Sequence, residues 1–232
     1  MDVRIYPIKG SNKVEFPKLH PHLPQPPFRM MMVAPSGSGK GVVLMNILRW
    51  YCNYDGNNPD TDIFKCVVWI SPTIHNDKTC SSITDCEDSR YNIHTDVSKI
   101  DSILTGLDEH QCKEANKNDH ALLIIDDCIG LREVDQAIGH YITSCRHNRV
   151  SLLINSQYFK GFNPTLREQC NCCLFFKTHS DDEKKKIIES IGSSYPDFKK
   201  YYEECTGAPY GFIFVDKRNK RLYWKFERLL YP

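Results

Sequence analysis

The stretch FRMMMVAPSGSGKG, residues 28–41, joins two unlike patterns. Residues 28–34 form an apolar run of the kind a strand buried on both faces requires. Pro35 through Gly41 are glycine and serine around Lys40, and immediately beyond, Val43, Leu44, Ile47, Leu48 and Tyr51 recur at helical spacing over residues 42–52. A glycine-rich loop between a strand and a helix suits phosphate. Its backbone N–H groups can converge on phosphate oxygens, the helix N-terminus adds partial positive charge, and Lys40 can reach the outer phosphates. The candidate cradle is Ser36, Gly37, Ser38, Gly39, Lys40 and Gly41. Two positions depart from the full Walker A pattern. Ala34 replaces a glycine, a small loss at a strand end; Gly41 replaces the Ser or Thr whose hydroxyl ordinarily ligates Mg²⁺.

Outward from this point the strand and helix patterns keep alternating. Apolar runs at 65–70, 92–94, 120–125, 151–155 and 172–176 read as strands, and helical spacing marks 97–112 and 133–145. The expected fold class is therefore α/β: a mostly parallel sheet flanked by helices. Helices follow at 181–191 and 196–205, and alternating runs at 210–215 and 222–226 around a turn predict a C-terminal β-hairpin. Residues 1–28 carry six prolines and read as an extended lead-in. The expected division is lead-in 1–28, core 29–178, and 179–232 completing the same domain.

The 232 residues suffice for one hydrophobic core, so a disulfide-stapled mini-protein is excluded. No run of about 18 apolar residues marks a membrane span, and Met1–Gly10 lacks the apolar core of a signal peptide. The eleven cysteines are scattered, the densest group, Cys170, Cys172 and Cys173, has no convincing second pair, and they read as reduced thiols, not zinc ligands; His20 and His22 read as contacts of a proline-rich strap. The net charge of +1 hides an asymmetry. Residues 51–135 hold 17 acidic and 7 basic side chains, net −10, which leaves +11 for the remainder. Lys217, Arg218, Lys220, Arg221, Lys225 and Arg228 make the hairpin the densest basic segment, either a phosphate-tracking surface or a charged edge that resists aggregation.

Residues 120–127, HALLIIDD, are a hydrophobic strand ending in two carboxylates, the form of a Walker B strand. Asp126 is expected to hold the metal and Asp127 to position or activate water. CRHNRVSLLINSQ, residues 145–157, then supplies an apolar strand whose terminal Gln157 can face a γ-phosphate, preceded by Arg146 and Arg149.

These elements in this order resemble the FtsK-HerA superfamily of P-loop ATPases, and within it the compact poxvirus-type genome-packaging ATPases of large DNA viruses, virophages and polinton-like elements. The resemblance spans roughly residues 28–226. It implies a RecA/FtsK-like fold and a ring-forming motor, pentameric or hexameric, that hydrolyses ATP with Mg²⁺ and drives double-stranded DNA into a capsid, with capsid or portal proteins as partners. Lys40 would hold the β- and γ-phosphates and Gln157 would sense the γ-phosphate. Arg146, with Arg149 as second choice, would be the finger reaching a neighbour's site. Such a protein would act at the viral assembly site in the host cytoplasm or in the virion. At Gly41, Asp126, Ser38 or water can stand in for the lost metal ligand. Two other readings stay open: a nucleotide-binding scaffold with a decayed loop, and a helicase or conjugation-type motor of the same superfamily.

Overall fold

In the computed structural model, which describes residues 19–53 and 62–231, the strand of the opening stretch is β1 (Arg29–Val33). It lies mid-sheet between β5 (Val150–Ser156) and β6 (Cys172–Phe176), parallel to both, with Met31 opposite Ile154 on one side and Cys173 on the other. Beyond β5 come β4 (His120–Asp126), β2 (Phe64–Ile70) and the edge strand β3 (Tyr91–His94), all parallel. Beyond β6 the direction reverses. The strands β7 (Phe212–Asp216), β8 (Arg221–Trp224) and β9 (Arg228–Tyr231) are antiparallel and complete a nine-stranded sheet of order β3-β2-β4-β5-β1-β6-β7-β8-β9.

Alternate residues of a strand point to opposite faces, and here both faces are buried. Met31 and Val33 pack with α3 (Ile100–Cys112), α4 (Arg132–Ser144), α5 (Pro164–Gln169), α6 (Asp181–Gly192) and α7 (Phe198–Gly207). Met30 and Met32 face α1 (Lys40–Cys52) and α2 (Ser81–Thr84). One long helix cannot cover that second face. The described part of the lead-in completes the cover: Leu19, Leu23 and Phe28 are buried in the same cluster, the Tyr51 hydroxyl donates to the Pro24 carbonyl, and the His22 ring packs on Tyr223. The remainder of the lead-in, residues 1–18, lies outside the described residues.

The predicted strands and long helices are present, with ends shifted by at most three residues. Three elements were not foreseen. The four residues of α2 are too short to show a period. Although α5 has a sequence signal, Asn163 accepting the Leu166 N–H at 2.9 Å with Pro164 in the first turn, it contains only six residues. Finally, β9 turns the expected hairpin into a three-stranded meander, and it is an edge strand whose exposed Arg228 and Leu229 give no clean alternation. Among the described residues no helix is long and apolar enough to cross a membrane.

Candidate functional site

The loop after β1 turns sharply because two of its glycines adopt backbone that other residues resist. Gly37 has φ 76° and Gly39 φ 95°, and the Ser38 N–H closes the turn on the Pro35 carbonyl at 3.1 Å. Gly39 caps α1 without any side-chain acceptor, and the first turn of α1 carries no acidic residue. The positive end of that helix is therefore uncompensated by any residue of its own first turn. Tyr210, from the loop before β7, lies over Gly39, where a Cβ would meet its Cδ1 at 3.1 Å.

Register brings the acids of β4 to the same end of the sheet. Because β5 intervenes between β1 and β4, Asn155 sits beside Met32 on one side and Asp126 on the other. Lys40 Nζ reaches across β5 to lie 2.9 Å from Asp126 Oδ1 and 2.5 Å from Asp127 Oδ2. Burial alone lowers the Lys40 pKa, but the two carboxylates outweigh it and hold it above the ordinary lysine value. Asp126 is buried and also accepts from the Ser71 hydroxyl at 3.2 Å and from Asn155 Nδ2. Asp127 leaves the strand at φ 52°, a strained conformation for an aspartate, and its buried Oδ1 has no hydrogen-bond partner among the described residues. Two carboxylates at one strand end, one with an unsatisfied buried oxygen, are a donor set that fits a hard divalent cation.

Gln157, just past β5, joins Lys40, Gly41 and Asp127 in lining a cavity of about 430 Å³, walled also by Ser36, Gly37, Gly39 and Tyr210. Ser38 turns its hydroxyl inward, where the buried Oγ lacks a partner among the described residues. Sequence reasoning missed Ser71, Asn155 and Tyr210. Asn155 carried a signal, a polar residue in a fully buried strand, whereas Ser71 and Tyr210 depend on pairing and loop placement.

The arginines lie elsewhere. Both precede β5, whose N-terminal end is the opposite edge of the sheet from the phosphate-type loop. Arg149 is tied into the fold: its guanidinium donates to the carbonyls of Asp119 at 3.2 Å and Gln111 at 3.1 Å, at a backbone φ of 57°. Arg146 is exposed, with no side-chain partner among the described residues. The eleven cysteines are free and nine are buried; Cys80, near Asp77, is pushed up to about 12 by burial and neighbouring carboxylates, so it is an inert thiol. Among the described residues no three His, Cys, Asp or Glu side chains are already grouped closely enough to hold a metal ion by themselves.

No family model matches this chain, and no curated protein is similar to it in sequence. Solved structures are similar in shape. The genome-packaging NTPase B204 of Sulfolobus turreted icosahedral virus 2, in complex with ATP-γS, superposes with a TM-score of 0.60 at 17% identity over 85% of this chain and 96% of its own. The fold is that of a P-loop NTPase. The DNA-packaging ATPase B204 of Sulfolobus turreted icosahedral virus matches this P-loop fold with a TM-score of 0.61 at 16% identity, again over 85% and 96% of the two chains. The pCW3 conjugation coupling protein TcpA, with ATPγS, shares it at a TM-score of 0.54 and 12% identity over 82% of this chain and 57% of its own. In a P-loop fold the glycine-rich turn at residues 36–41 and the acids of β4 stand at the C-terminal ends of parallel strands, the side of an open α/β sheet where ligands bind.

Proposed function

We propose that this chain is an Mg²⁺-dependent ATPase of the FtsK-HerA type that drives double-stranded DNA into a viral capsid. The observation that carries the reading is the convergence of Lys40, Asp127 and Gln157 on one cavity at the glycine-rich turn, with Asp126 paired to Lys40 behind it. In this reading the N–H groups of residues 36–41 hold the triphosphate, and Lys40 leaves its carboxylates for the β- and γ-phosphate oxygens. That exchange exposes both acids at once. Asp126, fixed by Ser71 and Asn155, then serves the metal, and Asp127 orients and deprotonates the attacking water while Gln157 faces the γ-phosphate. The bound magnesium supplies neutralisation of phosphate charge.

Arg146 is the candidate finger for a neighbouring subunit in a ring of five or six. It is exposed and uncommitted on the edge away from its own cavity, whereas Arg149 already serves two carbonyls. The near end-to-end match to compact packaging NTPases supports packaging, with capsid or portal proteins as partners and the viral assembly site or virion as location. The likeness to TcpA supports a second reading, a conjugation-type DNA motor with the same chemistry. Purified protein is expected to hydrolyse ATP with Mg²⁺, and Lys40→Ala to abolish turnover. A wild-type oligomer that neither binds nor hydrolyses ATP overturns the proposal. Electron microscopy with ATPγS and duplex DNA tests the ring and identifies the surface lining it.

A further inference from the structure

Gly41 stands where a Walker A loop carries the metal-binding hydroxyl, and the space for that side chain is filled. A Cβ built on Gly41 would lie 2.8 Å from Asp77 Oδ2 and 3.1 Å from Thr79 Cβ. Both residues belong to the turns after β2, and both line the cavity with Lys40, Asp127 and Gln157. The Asp77 carboxylate is oriented locally, its Oδ1 accepting the Thr79 N–H at 2.9 Å to cap the turn Lys78–Cys80. Its Oδ2 is thereby left directed at the first turn of α1.

We infer that Asp77 supplies the metal ligand that Gly41 lacks: its carboxylate takes the place of the Walker A hydroxyl on the divalent cation of a bound nucleotide. This rests on the nucleotide reading given above. The substitution is reciprocal in space, since a side chain at position 41 would press on Asp77 and Thr79, and the carboxylate keeps its present place only beside a glycine. It also changes the charge. Lining the cavity, Asp77 and Asp127 stand with Lys40, which also pairs with Asp126, so acids outnumber the one lysine of the lining where an anionic nucleotide would bind. Phosphates enter such a site more readily with a cation that offsets the acids, and hard oxygen donors select Mg²⁺ or Mn²⁺. Gly41 is thus one half of an exchange, where a decayed loop would leave the position empty.

The test is the Mn²⁺ affinity of the full chain saturated with ADP, read from the electron paramagnetic resonance signal of free Mn²⁺. Asp77→Asn retains the acceptor for the Thr79 N–H and is expected to weaken Mn²⁺ binding at least about tenfold, with metal-free ADP affinity unchanged or raised. Gly41→Ser alone is expected to weaken it as well, by pushing the Asp77 loop aside. The double variant Gly41→Ser/Asp77→Ala, which restores a hydroxyl and removes the obstruction, is expected to recover affinity relative to Asp77→Ala. ADP binding retained with Mn²⁺ affinity indifferent to Asp77 overturns the assignment and leaves the nucleotide reading standing. Absence of ADP binding by the wild type, with or without metal, overturns both.

Discussion

The two ends of the parallel strands use the same kinds of side chain in opposite ways. At the N-terminal ends, cations are committed to closing the fold. Arg29 donates to the Ile142 carbonyl and Gln169, Arg149 to the carbonyls of Asp119 and Gln111, Lys217 to the Arg167 carbonyl and Arg218 to the Pro27 carbonyl. At the C-terminal ends Lys40 is held by acids that a ligand can displace, and Gly37, Gly39 and Asp127 hold positive φ. Three buried oxygens there, Ser38 Oγ, Asp127 Oδ1 and Asn155 Oδ1, have no partner among the described residues. A buried polar group left unpaired costs about 1–3 kcal/mol. The difference teaches where stability has been given up for binding, and it makes the two ends separable by experiment.

The largest expected effect is at the C-terminal end. Asp127→Asn removes a charge and keeps the shape, so turnover should fall about 10²–10⁴-fold while ATPγS affinity and Tm stay near wild type. Phosphate-release kinetics, nucleotide titration and thermal melts check this together. A large loss of Tm with unchanged turnover would break the comparison by making Asp127 a fold residue. Next in size, at the other end, Arg149→Ala strands two carbonyls and should cost about 2–3 kcal/mol in urea unfolding. Arg146→Ala should stay within about 0.5 kcal/mol and lower turnover only where subunits associate.

This contrast also separates what the sequence could reveal from what it could not. Strand and helix periods expose β1, β4 and β5 because each is a run of apolar residues buried on both faces, and the polar residues that end these runs mark the site. That reasoning reached Lys40, Asp126, Asp127 and Gln157, which the structure brings together. It could not reach Asp77, since the link from Asp77 to Gly41 crosses from the loop after β2 to the head of α1 and has no period. Nor could it divide the basic hairpin. Antiparallel pairing of β7 and β8 puts the turn after Asp216 at the N-terminal end of β6, while Lys225 and Arg228 return to the end that carries the glycine-rich loop.

A smaller effect comes from His120, which opens β4 at the N-terminal end. Burial, and then Arg149, lower its pKa to about 4 against an ordinary 6.5, with Asp119 opposing. The folded protein keeps the ring neutral where the unfolded chain takes up a proton, so the stability is fully present above pH 6.5, is lost as pH falls toward about 4, and levels off below. Thermal melts should show Tm declining through that window, and His120→Gln should flatten the decline. An unchanged slope in the variant would assign the acid loss to other groups and weaken the picture of a tightly closed N-terminal end.

The smallest effect sharpens where DNA can be met. Four cations of the hairpin turn looked alike in sequence, but Lys217 and Arg218 are bound to carbonyls, and reversing their charge would damage the fold before it affected any ligand. Lys220 and Arg221 are exposed, with no side-chain partner among the described residues. At the other end Arg228 already faces Glu204 at 3.3 Å and Trp224, and Lys225 also lies over Trp224. If duplex DNA is tracked by the hairpin turn, Lys220→Ala/Arg221→Ala should reduce the slope of log affinity against log salt by about 2, with Tm and basal ATPase unchanged. An unaltered slope removes this turn from the DNA path. A reduced slope from Lys225→Ala/Arg228→Ala instead would move the contact to the nucleotide end, where binding DNA and binding ATP would share one edge of the sheet.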